Sequence, residues 1–331
     1  MRTARWWLIP CAALVLALAP GCESKKPDDT KNPGNWPDKP GPKVVVSFAP
    51  LYCFAAAVAG DDAVVRNVMT SNGPHDFVPT KDDAKLVSGA DLFFCVGLEL
   101  DEDKAAMMKT GSGNEKLKIV QLGARVDPKK LLEGSCNHDH GDGKAHDHHH
   151  GHDPHLWLSP DHAITFVNAI RDELKAADPA RAAGYDSRAV AYVAKLEKLK
   201  ADGQALLKGK KDNRIVTFHD ALGYFSECYG IEIRGVLTQK PGQEPDQKEL
   251  KKLIAICTDA NKPTRVVAVE PQYSTSTSGE TLRKELVAKG LTDAVLVEVD
   301  TLETVKPDEL KVEWYETKMR ANLDVLAKAL K

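Results

Sequence analysis

Eight short runs of apolar, β-branched residues constrain what this chain can fold into, because each has the length of a strand and is followed by a segment of helical periodicity. Four lie in the first half, at residues 43–48, 64–69, 91–96 and 118–122, and four in the second, at 214–218, 232–236, 265–269 and 294–299. Strands that alternate with helices predict parallel sheets covered on both faces. Between the two sets, Ser159 and Pro160 supply an N-cap and first helical position, and Ile164, Val167, Ile170 and Leu174 share one face of the helix that follows. From 180 onward Tyr185, Ala189, Val193, Leu196 and Leu199 recur at spacings of three and four, interrupted only late by Gly203. A helix over 180–209 would reach roughly 40 Å, enough to run along two lobes. The pattern therefore predicts an α/β chain with an N-terminal lobe at 43–179 and a C-terminal lobe at 210–331. Each is a four-stranded parallel sheet flanked by helices, joined by the long helix, with a cleft between them.

The 331 residues, 42% of them hydrophobic, are enough for two such lobes. Arg2 and Arg5 precede an apolar segment at 6–19. It is shorter than the about 20 residues of a membrane span and matches a signal-peptide core, so residues 1–21 are expected to direct export. The segment ends Leu18-Ala19-Pro20-Gly21-Cys22, which resembles a bacterial lipobox with Ala19 where leucine is usual, and implies lipidation of Cys22. An ordinary signal peptide with an incidental Cys22 is the alternative. Prolines at 27, 33, 37, 40 and 42 in a polar stretch make 22–42 a tether. The net charge is −3, or −5 once Arg2 and Arg5 leave with the signal, with no basic stripe, which argues against nucleic acid as a partner. Of seven cysteines, Cys11 lies in the signal and Cys22 at the anchor. The remaining five permit two disulfides outside the cytoplasm, expected as Cys228 with Cys257 and Cys53 with Cys95, leaving Cys136 as a soft ligand beside the loop described next.

Residues 137–152 hold seven histidines in sixteen positions: His138, His140, His146, His148, His149, His150 and His152. A mixture of Gly, Asp and His cannot build a packed core, and neutral imidazole is a common ligand for zinc, so this is a metal-binding loop. It runs into Asp153-Pro154-His155-Leu156-Trp157-Leu158. Two further histidines and a carboxylate follow strands: His75 after the second, His219 after the fifth and Asp300 after the last. Open α/β sheets bind ligands outside the carboxyl ends of their strands, so His75, His155, His219 and Asp300 are candidates to meet in the cleft as a tetrahedral zinc site. Taken singly, each histidine has a structural alternative; His219, beside Asp220, would serve as a helix cap. Glu298, Glu270 or a water are alternatives to Asp300. Asp153, Asp76 and Asp220 are candidate acceptors for imidazole N–H groups. His162, in the first turn of a helix, is expected on the surface.

At these residues the chain resembles the metal-binding receptors of ABC importers, in particular the zinc-specific branch. The resemblance covers 43 to the C-terminus and rests on Gly73-Pro74-His75-Asp76-Phe77, the histidine loop with Asp153-Pro154-His155-Leu156-Trp157-Leu158, Thr217-Phe218-His219-Asp220-Ala221-Leu222-Gly223-Tyr224-Phe225, and Glu270-Pro271-Gln272-Tyr273-Ser274. It implies two α/β lobes bridged by a long helix and one divalent cation bound between them by His75, His155, His219 and a carboxylate matched by Asp300. Where the family has Asp-Pro-Leu at that last site, this chain has Asp300-Thr301-Leu302. Manganese-binding relatives carry a carboxylate at the position of His219, and three imidazoles favour zinc over the harder manganese ion.

The resemblance further implies a monomeric receptor, held to the membrane through its N-terminal lipid, that captures Zn²⁺ and passes it to an ABC permease with its ATPase subunits. A manganese or iron receptor of the same type, a surface adhesin and a secreted zinc hydrolase are the alternatives. A hydrolase would leave one zinc position to water, and the chain has no His-Glu-x-x-His motif.

Overall fold

The structure is a computed structural model and describes residues 34–134, 151–238, 244–273 and 276–331. In the first lobe the order is β1 (Lys43–Val46), α1 (Ala49–Ala59), β2 (Val64–Asn67), α2 (Lys81–Val87), β3 (Leu92–Cys95), α3 (Glu102–Ser112) and β4 (Lys118–Gln121). Two long helices follow, α4 (Pro160–Ala177) and α5 (Ala182–Leu207). The second lobe has β5 (Arg214–Thr217), α6 (Gly223–Tyr229), β6 (Glu232–Val236), α7 (Gln247–Cys257), β7 (Val266–Val269), α8 (Ser278–Ala288), β8 (Val295–Glu298) and α9 (Trp314–Ala329). The eight expected strands all form, seven of them shorter by one or two residues than their apolar runs. At the end of β1, for example, Phe48 has already become the N-cap of α1.

Each sheet is parallel throughout, and the two share one topology: β2-β1-β3-β4 in the first lobe and β6-β5-β7-β8 in the second. In both, the chain leaves the first strand toward one side and returns for the third on the other. The carboxyl ends of β1 with β3, and of β5 with β7, are therefore the points where the strand order reverses and a crevice opens.

Alternation along the central strands divides the core. Val44, Val46 and Phe94 face inward to α1, α4, α5 and α9, whereas Val45, Phe93 and Cys95 face outward to α2 and α3. In the second lobe Ile215 faces the same inner helices, and Val216 and Val267 face α7 and α8. The inner cluster runs unbroken from one lobe to the other, through Tyr185, Leu196 and Leu199 of α5 and Trp314, Tyr315, Met319 and Leu323 of α9. At about 1.5–3 kcal/mol for each large apolar side chain fully buried, this shared core ties the lobes strongly together.

The long helix is 26 residues, or about 39 Å, with Tyr185, Ala189, Tyr192, Leu196 and Leu199 buried along one face. Gly203 has a packing reason: a Cβ there would come within 2.5 Å of Tyr229 Cε1 and 2.7 Å of Leu323 Cδ1, so α6 and α9 close onto α5 where only a hydrogen fits.

Two expectations fail here. Cys53, Cys95, Cys228 and Cys257 are all free thiols. Cys53 belongs to the inner core and Cys95 to the outer face of the first sheet, and Cys228 packs on the inner core while Cys257 lies in the outer cluster of the second lobe. Each proposed pair is thus split between two faces of a sheet, and a disulfide needs side chains that converge. Cys136 lies outside the described residues. His162, expected on the surface, is buried with its ring 4.9 Å from Tyr224 in an edge-on contact, and burial lowers its pKa.

The packing at Gly203 yields a stability prediction. Gly203→Ala gains up to about 1 kcal/mol of helix propensity but overpacks the α5–α6–α9 junction, at a cost of about 1–3 kcal/mol. Denaturant unfolding should therefore find the variant less stable than the parent; equal or greater stability would contradict the close contact.

Candidate metal centre

His75, His155, His219 and Glu303 converge between the lobes, offering one donor atom each, all within 4.8 Å of one another. His75 sits on the loop after β2, which opens with Met69 N–H donating to Ser47 O and includes Gly73 against the Glu303 side chain. His155 precedes a tight turn, Leu156–Leu158, whose three side chains are fully buried. Trp157 in that turn donates its indole N–H to Thr301 O at 2.8 Å and accepts at its carbonyl from Tyr315 O–H at 2.7 Å. Its apolar bulk anchors the first lobe, and its one polar atom grips the loop that carries Glu303. His219 follows β5, and Glu270 follows β7, so the pair stands at the reversal point of the second sheet.

The spacing suits a small tetrahedral ion. His155 Nε2 lies 3.2 Å from His75 Nε2 and 3.4 Å from His219 Nε2. Glu303 Oε1 lies 3.6, 3.5 and 3.4 Å from the Nε2 atoms of His75, His155 and His219. Bonds of about 2.0–2.2 Å in a regular tetrahedron place donors roughly 3.3–3.6 Å apart. Glu303 Oε1 is also a buried oxygen with no hydrogen-bond partner among the described residues, as expected of an atom meant for a cation.

Two carboxylates fix the ring orientations. Asp153 Oδ1 accepts from His155 N–H at 2.9 Å and from its Nδ1 at 2.7 Å. Glu270 Oε1 accepts from His219 N–H at 3.2 Å and from its Nδ1 at 2.5 Å. With Nδ1 committed as donor, Nε2 of each ring faces inward and is the nitrogen left to bind a cation. Asp153 was among the expected acceptors; Glu270 was expected only as an alternative ligand.

Burial penalises charge on His155, but Asp153 and then Glu303 outweigh it and push its pKa up to about 9. At His219 burial is likewise outweighed, by Glu270 and Glu303, and the pKa rises to about 10. Burial would raise Glu303, yet the facing imidazoles hold its carboxyl well below the usual range. In the metal-free protein the site therefore holds protons on its two deepest imidazoles at neutral pH.

The carboxylate that joins the histidines is Glu303, not Asp300. Asp300 Oδ1 accepts from Leu302 N–H at 2.8 Å, its Oδ2 pairs with Lys318 at 3.1 Å, and its backbone is clasped by Asn322 at 2.9 and 2.7 Å. Asp300 thus secures a turn in which Leu302 takes a left-handed φ of 63°, and that turn swings Glu303 into the cleft. Glu298, another alternative, is exposed at the end of β8. Six histidines of the loop, His138, His140, His146, His148, His149 and His150, lie outside the described residues, as does Cys22. His152 is exposed and bridges Glu133, and Gly134 N–H donates to Gly151 O at 2.7 Å, so the two ends of the loop meet beside His155. No helix among the described residues is long and apolar enough to cross a membrane.

Comparison with known proteins bears on this site. The family model described as zinc-uptake complex component A, periplasmic, matches residues 44–329. The zinc-binding protein AdcA of Streptococcus pyogenes is 32% identical over 298 residues, covering 86% of this chain and 55% of the relative, so the chain spans about half the length of that relative. The solved structure of FpvC from Pseudomonas aeruginosa in complex with Ni²⁺ is 27% identical, with a TM-score of 0.72 over 88% of this chain and 97% of that one. A Zn(II)-bound AdcAII variant from Streptococcus pneumoniae is 26% identical, with a TM-score of 0.70 over 88% and 99%.

The raised histidine pKa values set a pH dependence. Relative to an unfolded value of about 6.5, the two imidazolium groups stabilise the metal-free fold fully below that pH, and the contribution is lost as pH rises through about 9 to 10. An ion must displace those protons, so metal affinity should climb with pH until about 10 and binding at pH 7.5 should release about two protons. Calorimetry in buffers of different ionisation enthalpy measures the release; none would contradict the assignment of protons to His155 and His219.

Proposed function

The chain belongs to the zinc-uptake complex component A family, and from that premise we propose that it is an exported receptor that captures one Zn²⁺ between its lobes for delivery to an ABC-type permease. The observation that carries the proposal is the set of four donors within 4.8 Å of one another, three of them imidazole nitrogens and the fourth a buried carboxylate oxygen with no hydrogen-bond partner among the described residues. Three nitrogens and one oxygen suit zinc better than manganese or iron, which favour more oxygen ligands and higher coordination.

His75 and His155 come from the first lobe, His219 and Glu303 from the second, so the ion itself is a bond between lobes. Glu303 fills the position that a hydrolytic zinc site would leave to water, which favours capture over chemistry. The shared inner core around α5 restricts the lobes to a small rearrangement on loading and release. In this reading Cys22 carries the lipid anchor and the protein works as a monomer. The tether expected over 22–42 is shortened to the residues before 34, because Trp36 is buried in the outer core of the first lobe and donates its indole N–H to Ser88 O at 2.9 Å, and Arg66 donates to Gly34 O and Asn35 O, both at 2.7 Å. The histidines of 137–152 form an accessory, weaker collecting site whose ends meet next to His155.

Titration of the purified protein with zinc, in competition with manganese and with or without residues 137–152, tests the proposal. One tight, zinc-preferring site should survive the deletion; loss of all tight binding with the loop would overturn it. Glu303→Ala should weaken zinc by more than the roughly 10–100-fold typical of a lost supporting partner, and Asp300→Asn should stay within that range. The reverse order would return the ligand role to Asp300.

A further inference from the structure

We infer that Gln272 is a specificity-determining residue, restricting Glu303 to a single metal bond and thereby holding the site to four-coordinate ions. This rests on the zinc-receptor reading above and concerns the same site. Gln272 Nε2 lies 3.2 Å from Glu303 Oε2, the oxygen turned away from the three imidazole nitrogens. The same amide nitrogen donates to Thr301 Oγ1 at 2.8 Å and to Glu270 Oε2 at 2.9 Å, so its two hydrogens are shared among three acceptors, and Thr301 O–H donates on to Glu270 Oε2 at 3.1 Å. Glu270 is anchored through its other oxygen to His219 Nδ1. Gln272 therefore straps the carboxylate of one lobe loop to the partner of a ligating imidazole, and the strap has little freedom to swing aside.

The consequence lies in the count of available oxygens. Of the four side chains around the ion, His75 is 12% exposed and the other three between 1% and 3%. His75 is thus the most exposed edge of the site, and Glu303 Oε2, the second oxygen of a carboxylate already facing the three imidazoles, is a ready source of a fifth bond. The amide hydrogen takes one of the two lone pairs of that oxygen and draws it away from the imidazole nitrogens, which disfavours a second metal bond from the same carboxylate. Zinc is satisfied with four donors; manganese prefers six, mostly oxygen, and is left short. Selectivity at this site thus comes from a residue that never touches the ion.

Gln272→Met keeps the length of the side chain and removes the amide. The test compares Zn²⁺ and Mn²⁺ affinity of the purified wild-type protein and this variant, together with the visible spectrum of each loaded with Co²⁺, which absorbs strongly in tetrahedral sites and weakly at higher coordination. The inference expects the zinc-to-manganese affinity ratio to narrow by about tenfold or more, within the range seen for supporting partners of metal ligands, and the Co²⁺ bands to weaken. Equal loss for both metals with an unchanged Co²⁺ spectrum would reduce Gln272 to a packing role and overturn it. X-ray absorption at the zinc edge of the wild-type protein decides the point even if the variant does not fold. Four donors with one carboxylate oxygen support the inference, and a chelating carboxylate overturns it alone. A wild-type protein with no tight zinc would overturn both this and the receptor reading.

Discussion

The carboxylate of Glu303 is the constraint around which the molecule is arranged. It is buried between lobes, one oxygen held by Gln272 and the other facing the Nε2 atoms of three imidazoles at 3.4–3.6 Å. A buried anion without compensation costs several kcal/mol, so the site needs positive charge, which the raised pKa values of His155 and His219 place on the imidazoles and which, under the proposed function, a divalent ion would supply instead.

That geometry is kept by the scaffold. The duplicated sheet topology puts His219 and Glu270 at one strand-reversal point, and the inner core shared by α1, α4, α5 and α9 fixes the lobes' mutual distance. Trp157 connects these levels: buried in the inner core beside His155, it binds the carbonyl of Thr301 and so holds the Glu303 loop in register with the first lobe. Val305 N–H donating to Thr70 O at 3.0 Å secures the same loop to the strand end that leads to His75.

Much of this was legible in the residues. Apolar β-branched runs separated by helical spacing specify parallel strands because the central strands β1, β3, β5 and β7 are buried between helices, although the edge strands are only partly covered, and the regular spacing in 185–199 marks the long helix directly. His75 and His219 stood out because each follows a strand, and His155 because it lies between the histidine loop and the apolar run Leu156-Trp157-Leu158. Glu303 did not, because the first carboxylate after β8 is Asp300 and nothing local announces that Leu302 adopts a left-handed backbone which carries the next acid inward. The free cysteines have a similar cause: which face of a sheet a helix covers is decided by topology, and sequence spacing does not reveal it. Glu270 was visible as an alternative ligand, but its service to His219 Nδ1 depends on β5 and β7 being neighbours.

Anomalous diffraction at the zinc edge, from crystals of the protein loaded with one equivalent of zinc, addresses the central claim most directly. A single strong peak about 2.0–2.2 Å from the Nε2 atoms of His75, His155 and His219 and from Glu303 Oε1 is the predicted result. A principal peak on the histidines of 137–152, or one coordinated by Asp300 with Glu303 turned away, would contradict it.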